Sequence, residues 1–229
     1  MSDPGEIRTW IFTGNIVHPG STTFGINRAG YTLHSAIHKA RPDLNCVIHL
    51  HTPAVASISA ISGDILPLSQ EALSCGKISY HDYRGILIEG DVKSLLAKDL
   101  GPTNKVMILR NHGFVACGET IEEAWQYAFI VIRASEIQVC TTSVAIDQLY
   151  LSSGEQHQRV ANILQDYTND TSDDLKYKTN EIEFECLIRN LDNAGYRTGY
   201  HYQKPLLDTG NMKTAITAVE PMSSAEATL

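Results

Sequence analysis

The stretch "CVIHLHTPA", residues 46–54, decides how the rest of the chain is interpreted. It opens with a β-branched and apolar run, which predicts a buried strand. Pro53 then favours the first turn of a helix, because proline needs no backbone N–H at that position. Residues i and i+2 of a strand point to the same face, so His49 and His51 project side by side. Two imidazoles on one face make half of a metal site.

A third histidine stands on a predicted turn further along the chain. "KVMILRN" and "FVACGE" are apolar runs that indicate paired strands, and His112 and Gly113 lie between them. Glycine allows tight backbone geometry, so this turn can approach the first strand. Three histidines with an open position are typical of a catalytic zinc arrangement. The alternative is a buried cleft lined by hydrogen-bonded polar histidines, and the pattern leaves both interpretations open.

The other histidines fit simpler roles. His34 and His38 are four residues apart on a predicted helix, a spacing that can bind metal. Ser35, however, stands where a metalloprotease carries its glutamate. We therefore interpret both histidines as helix-surface residues. His81, in "YHDYRG", is expected to form structural hydrogen bonds.

Strand and helix signals alternate over the first part of the chain, which predicts a layered α/β domain. Residues 9–30, "TWIFTGNIVHPGSTTFGINRAG", indicate short strands broken by turns. The helix that follows has Leu33, Ile37 and Ala40 on its apolar face, and Pro42 stops it. "ISYHDY" and "GILIE" predict two further strands, and a helix is expected from about Val92 to Leu100.

The longest predicted helix is "TIEEAWQYAFIVIRASEIQVC", residues 120–140. Thr120 and Glu123 have the spacing of a capping box. Its predicted apolar stripe consists of Ile121, Trp125, Ala128 and Ile132.

After about Ser143 the character of the sequence changes. "TNDTSDDLKYKT" is too polar and acidic to bury a core and predicts a flexible linker. "EIEFECLIRNLDNAG" predicts one further helix, with Asn180 as its N-cap and Gly195 as its C′ glycine. The predicted apolar face of this helix consists of Phe184, Leu187, Ile188 and Leu191. The expected organisation is a head over 1–143, a linker over 144–180, a helical segment over 181–204 and a disordered tail over 205–229.

Composition excludes several classes of function. The net charge is -8, and no basic stripe is present, which argues against nucleic acid as a partner. No apolar run is long enough to span a bilayer, and the polar N-terminus lacks the apolar core of a signal peptide. The 5 cysteines are widely spread without a C-x-x-C pair, which favours reduced thiols in an intracellular protein.

Five segments together resemble the head domain of the adducins, which is similar to the class II aldolases. They are "HLHTPAVASISA", "LPLSQEAL", "ISYHDYRGIL", "LGPTNKVMILRNHGFVACGETIEEAW" and "LDNAGYRTGY". The resemblance runs from about Gly14 to about Pro205. It implies an α/β fold, with a class II aldolase-like three-layer α/β/α head followed by the linker, helix and tail.

The resemblance also assigns roles to residues. In class II aldolases the histidines matching His49, His51 and His112 bind zinc, so these are the implied metal ligands, either of zinc or of a vestigial site. The catalytic glutamate of those enzymes falls at about Gly30, where no carboxylate stands. Such an acid/base contributes about 10²–10⁴-fold in rate, so enzymatic activity is not expected. Glu71 is a possible substitute, and the alternative for it is a solvated or helix-capping carboxylate.

The implied function is that of a non-enzymatic, adducin-like protein of the membrane-associated actin–spectrin cytoskeleton. Its expected partners are actin filaments and spectrin, and it is expected to form homo- or hetero-oligomers. The implied location is the cytoplasm, at the cytoplasmic side of the plasma membrane. Family contacts with actin and spectrin depend heavily on a lysine-rich C-terminal end, whereas this sequence ends in "SSAEATL". The alternative is a zinc-dependent class II aldolase or epimerase that acts on a small sugar phosphate.

Overall fold

The structure is a computed structural model that describes residues 9–10, 15–18, 25–82, 90–156, 159–160 and 180–202. The strands are β1 (Thr9–Trp10), β2 (Ile16–His18), β3 (Cys46–Leu50), β4 (Ile78–His81), β5 (Val106–Leu109) and β6 (Gly113–Gly118). The helices are α1 (Arg28–Ala40), α2 (Pro53–Ser59), α3 (Gln70–Ser74), α4 (Gly90–Leu100), α5 (Ile121–Cys140) and α6 (Glu181–Asn193). Three predictions fall outside the described residues: the "GILIE" strand, the linker stretch 168–179 and the tail from 205.

A four-stranded sheet in the order β3–β6–β5–β4 forms the centre of the domain. β6 pairs antiparallel with β3 and β5, and β4 pairs parallel with β5. Every residue of β5 and β6 is buried, as expected for strands covered on both faces. The prediction that β3 is a buried strand is wrong in degree, because β3 lies at the sheet edge and its residues are only partly buried or exposed.

The two faces of the sheet pack against different helices, because side chains alternate along a strand. One face contributes Met107, Leu109, Val115 and Cys117 to a core shared with α1 and α4. The other contributes Val106, Ile108, Phe114 and Ala116 to a core shared with α2 and α5. Helices on both faces of the sheet make the predicted three-layer α/β/α head. Val47 packs against the first core, so His49, two residues later, projects from the face that α1 and α4 cover.

The predicted first helix forms, with small differences. Asn27 caps α1 because its side-chain oxygen accepts hydrogen bonds from Ala29 N at 3.1 Å and Gly30 N at 3.3 Å. Leu33 and Ile37 are buried as expected. Ala40, the last helical residue, is exposed, so the packed stripe ends one turn earlier than the spacing predicted.

The long helix α5 is capped and packed differently from its predicted stripe. Thr120 Oγ1 accepts from Glu123 N at 3.3 Å, but the Glu123 carboxylate accepts from Glu119 N, at 2.7 Å, one residue before the expected partner. Ile121, placed on the predicted stripe, is 44% exposed. Ala128 of the predicted stripe is buried as expected, and Trp125 and Ile132 are partly buried. The buried face also includes Ala124, Val131 and Ala134, so it lies to one side of the predicted stripe.

Helix α6 ends at Gly195, which takes the C′ position that the sequence predicted. Gly195 has φ +90°, its N–H donates to Asp192 O at 3.0 Å, and Tyr196 N donates to Leu191 O at 3.0 Å. These are the two hydrogen bonds of a Schellman motif. At the start of α6, Phe184 is buried with its ring centroid 5.6 Å from that of Trp125 on α5. The predicted apolar face is thus covered at Phe184, whereas Leu187 and Leu191 are exposed.

The chain divides into two compact units, Met1–Cys186 and Leu187–Leu229. The first contains the layered head, and the second begins within α6. Across the described residues, no helix combines the length and the apolar character needed to cross a membrane.

Arg41 ties the end of α1 to the loop after α4. Its guanidinium donates two hydrogen bonds to the Asp43 carboxylate, at 2.8 and 2.6 Å. It also donates to Gly101 O at 3.0 Å and to Asn104 O at 3.1 Å. The hydrogen bonds from Arg41 lower the pKa of Asp43. One buried cation therefore satisfies two backbone carbonyls that the layer of helices encloses.

We expect Arg41→Met to lower the free energy of unfolding by about 2–3 kcal/mol, because it leaves enclosed carbonyls without a donor. Arg133→Met is the matched control, since Arg133 forms an exposed pair with Glu136 at 2.9 Å. Loss of that exposed pair should change stability by no more than about 0.5 kcal/mol. Urea unfolding of both variants measures the difference. Equal effects would contradict a clamp at Arg41.

Candidate metal site

The structure brings the imidazoles of His49, His51 and His112 together. One ligand nitrogen from each lies within 4.8 Å of the other two. The Nε2 atom of His49 is 2.9 Å from Nε2 of His51 and 3.3 Å from Nε2 of His112. Three ring nitrogens directed at one another are compatible both with a hydrogen-bonded cluster and with a shared metal ion.

A backbone hydrogen bond fixes the tautomer of His49. Its Nδ1 lies 2.8 Å from the carbonyl oxygen of Phe114. A carbonyl oxygen can only accept, so Nδ1 carries the proton and a neutral ring presents the lone pair of Nε2 to the other two histidines. Metal-bound histidines are commonly oriented by such a hydrogen bond from the second ring nitrogen. His49 is thus held in the form and orientation that a ligand requires.

The turn before β6 approaches the end of β3 very closely. Leu50 is paired with Phe114, which places Gly113 beside the backbone of Leu50 and the ring of His51. A Cβ atom at Gly113 would lie 2.4 Å from Leu50 O and 2.8 Å from His51 Cδ2, so no other residue fits without a shift of the backbone. Asn111 adopts a left-handed conformation, with φ 56°. Asparagine tolerates this conformation better than most residues, which permits the tight turn.

Burial keeps two imidazoles of the cluster, those of His49 and His112, in their neutral form. Burial, followed by the charges of His51 and His49, lowers the pKa of His112 to about 4. Burial also lowers the pKa of His49, although the hydrogen bond to Phe114 O acts in the opposite direction. Both rings are therefore neutral near pH 7, which is the state that binds a metal ion.

No aspartate or glutamate of the described residues joins the three histidines in a metal-binding group. Gly30, at the position expected for a catalytic glutamate, lies in the first turn of α1. Among the described residues, a Cβ there would contact only the side chain of Asn27, at 3.8 and 4.0 Å. Glu71 lies in the first turn of α3, where the helix dipole stabilises a negatively charged carboxylate. That position matches the helix-capping alternative for Glu71.

Two other histidines differ from their predicted surface positions. His34 is partly buried, and burial, followed by the charges of His38 and His49, lowers its pKa. His38 is also partly buried, with Nδ1 2.8 Å from Leu44 O. The interpretation of both as helix-surface residues is wrong, because α1 lies on the sheet face from which His49 projects. His81 is buried and its Nδ1 lies 2.7 Å from Asp99 Oδ2, which confirms the predicted structural hydrogen bond.

A mixed sheet covered on both faces, with an H-x-H pair closing the edge strand and a third histidine on the adjoining turn, defines a class II aldolase-type domain. The model of the "Class II Aldolase and Adducin N-terminal domain" matches residues 4–139. The chain is 47% identical over 197 residues to alpha-adducin of Rattus norvegicus, an alignment that covers 85% of this chain and 27% of that protein. Gamma-adducin of Homo sapiens is 45% identical over 204 residues, covering 85% of this chain and 28% of that protein. The chain therefore belongs to the class II aldolase and adducin family, on its adducin branch.

Solved structures share the fold. An aldolase II superfamily protein from Pseudomonas syringae superposes with a TM-score of 0.69 at 34% identity, covering 80% of this chain and 69% of that chain. The resemblance to the adducin head and the expected α/β class are thus confirmed. The chain spans 27% of the length of the alpha-adducin that it matches.

We expect Gly113→Ala to destabilise the head by about 1–3 kcal/mol, because the new Cβ must displace the Leu50 carbonyl or the turn. Gly63→Ala is the control, since a Cβ at Gly63 would meet no described heavy atom within 4 Å. Urea unfolding compares the two variants with the parent chain. Gly113→Ala as stable as Gly63→Ala would show that the turn does not approach β3 so closely.

The lowered pKa of His112 predicts a loss of stability in mild acid. Between its ordinary pKa of 6.5 and its folded pKa of about 4, the unfolded chain binds a proton at this residue that the folded chain does not. The contribution of His112 to stability is therefore full above pH 6.5 and is lost as the pH falls toward 4.

His112→Gln should accordingly reduce the dependence of stability on pH within this window. Urea unfolding across the window, with chelator present to exclude metal, measures it. Substitution of the exposed His201 by glutamine is the control and should leave the pH profile unchanged. A profile that His112→Gln leaves intact would contradict the lowered pKa of His112 in the folded chain.

Proposed function

We propose that this chain is an adducin-like head of the membrane-associated actin–spectrin cytoskeleton and that it is not an enzyme. In this proposal it works at the cytoplasmic side of the plasma membrane and contacts actin filaments and spectrin. Membership of the adducin branch, at 47% identity to a curated adducin, supports the cytoskeletal part. The observation that carries the non-enzymatic part is Gly30, which supplies no side chain where the related enzymes carry their acid/base.

Carbon–carbon cleavage and epimerisation both need an acid/base side chain, which glycine at position 30 cannot supply. Both reactions move a proton next to a carbonyl group, and a positioned acid/base contributes about 10²–10⁴-fold to such a step. Within the described part of the chain, no carboxylate stands with His49, His51 and His112. In the proposed function, the three imidazoles can bind a metal ion or another ligand, but the site has no acid/base to move a proton of a bound substrate.

The three histidines fit a zinc ion. They offer three imidazole nitrogens, and the His49 ring is oriented by Phe114 O as zinc ligands commonly are. Three protein ligands with one open position are a usual zinc arrangement, and zinc bound there supplies a Lewis acid. In the proposed protein, His49 and His51 would hold such an ion from β3 and His112 from the turn before β6.

We further propose that the chain assembles into homo- or hetero-oligomers and is organised as head, linker, helical segment and tail, with boundaries near residues 143, 180 and 204. The adducin resemblance supports the assembly. Leu187 and Leu191 also support it, because they are exposed apolar side chains one turn apart on α6. Such side chains can contribute to a contact with a neighbouring chain.

A second candidate is a zinc-dependent class II aldolase or epimerase acting on a small sugar phosphate. The observation that favours it is the convergence of His49, His51 and His112 with a fixed His49 tautomer. This candidate needs another acid/base, and Glu71 is the one to test. If the chain were such an enzyme, Glu71→Gln would abolish turnover, whereas Glu183→Gln, at an exposed position on α6, would not.

We expect the zinc-loaded chain to show no cleavage or epimerisation of sugar phosphates above background. We also expect it to sediment with actin filaments in the presence of spectrin. Turnover assays, filament co-sedimentation and sedimentation velocity on the full chain measure these properties in the same sample. Zinc-dependent turnover abolished by His112→Ala would contradict the non-enzymatic proposal. A chain that remains in the supernatant when actin filaments and spectrin sediment would contradict the cytoskeletal proposal. A strictly monomeric chain would contradict the proposed assembly.

A further inference from the structure

The turn that carries His112 is held by the last residue of α2. Asn111 N donates a hydrogen bond to Ser59 O at 3.2 Å. His112 N donates to Ser59 Oγ, also at 3.2 Å, and shares this hydrogen with Leu109 O at 3.1 Å. The Ser59 hydroxyl in turn donates to Ala56 O at 2.7 Å. The hydroxyl proton is thus used within α2, and the oxygen lone pair is directed to the backbone of His112.

Ser59 links the end of α2 to the turn that carries His112. Its side chain is 1% exposed, so water does not readily replace it as the partner of the His112 amide. The turn that it holds contains the left-handed Asn111. A strained turn keeps its geometry when surrounding contacts determine it. One buried serine supplies such contacts, because it accepts hydrogen bonds from two successive residues of the turn.

The same helix begins directly after another histidine of the site. Thr52 follows His51 and caps α2, accepting from Val55 N at 3.4 Å, and Pro53 occupies the first helical turn. α2 therefore connects His51, before its first turn, to His112, through its last residue. A short rigid helix between the two segments sets their separation, while β3–β6 pairing sets their direction.

We propose that Ser59 is a positioning residue of the histidine site, which fixes the backbone of His112 so that its imidazole meets those of His49 and His51. This role rests on the proposed binding of zinc. The serine would contact no metal itself. It would affect zinc affinity by holding the backbone amide of His112. Residues that hydrogen-bond to metal ligands commonly change metal affinity in this indirect way.

The test compares Ser59→Ala with Ser57→Ala in the full chain. Ser57 lies on the same helix and its Oγ donates to Pro53 O at 2.8 Å, but it is exposed and its hydroxyl is used within α2. Zinc affinity is measured by competition with a chromophoric chelator, and the visible spectrum of bound Co²⁺ reports ligand geometry. Amide hydrogen exchange of His112 is measured in parallel, with chelator present.

Ser59→Ala should weaken zinc binding by about 10- to 100-fold, alter the Co²⁺ spectrum and speed exchange of the His112 amide. Ser57→Ala should match the parent chain in all three measurements.

If Ser59→Ala keeps the parent's zinc affinity and Co²⁺ spectrum, the positioning role is overturned. If Ser59→Ala does not fold, Ser59→Cys takes its place, because a thiol of similar size is a much weaker acceptor for the His112 amide. Weakened zinc binding by Ser59→Cys would support the role, and zinc binding equal to that of the parent chain would overturn it. A parent chain that binds neither ion overturns the zinc proposal and this role with it, whereas parent binding unaffected by Ser59→Ala overturns this role alone.

Discussion

The antiparallel pairing of β3 with β6 is the constraint on which the site depends. It sets Leu50 opposite Phe114, and this register brings the carbonyl of Phe114 to Nδ1 of His49. It also presses the turn before β6 against the end of β3, where the close approach admits only glycine at position 113. A slip of one residue would send the imidazoles of His49 and His51 to the other face of the sheet. The sheet register therefore determines ligand orientation, tautomer and the position of the third histidine together.

The three histidines converge, and burial lowers the pKa of His49 and of His112. In the proposed function, the acid/base of the related enzymes has no counterpart at about Gly30. Binding and catalysis place different demands on a protein. A ligand set needs orientation and a suitable protonation state, whereas proton transfer needs a further group at hydrogen-bonding distance. A domain can lose the second and retain the first, and the proposed adducin-like role requires no turnover.

Strand periodicity was sufficient to predict that His49 and His51 share a face, and the glycine after His112 was sufficient to predict a turn that could reach them. Both predictions depend on local rules of backbone geometry. The contribution of Ser59 could not be predicted, because a serine at the end of a small-residue helix has no distinctive pattern and its partner is 53 residues away. The partial burial of His34 was missed for a related reason. It depends on which sheet face α1 covers, and helical spacing does not contain that information. Ile121 shows the same limit, since apolar spacing placed it on the buried stripe, whereas the face of α5 that packs in the fold leaves it 44% exposed.

We propose that His49, His51 and His112 form a prearranged zinc site of three imidazoles without a carboxylate ligand. X-ray absorption of the zinc-loaded full chain tests this most directly, because it counts the imidazoles around the ion. We expect three imidazole nitrogens at about 2.0–2.1 Å and one further light atom in a tetrahedral shell. His112→Ala should lower the imidazole count to two, and His38→Ala should leave it at three. A spectrum with fewer than three imidazoles in the parent chain, or no zinc retained after dialysis, would contradict the claim.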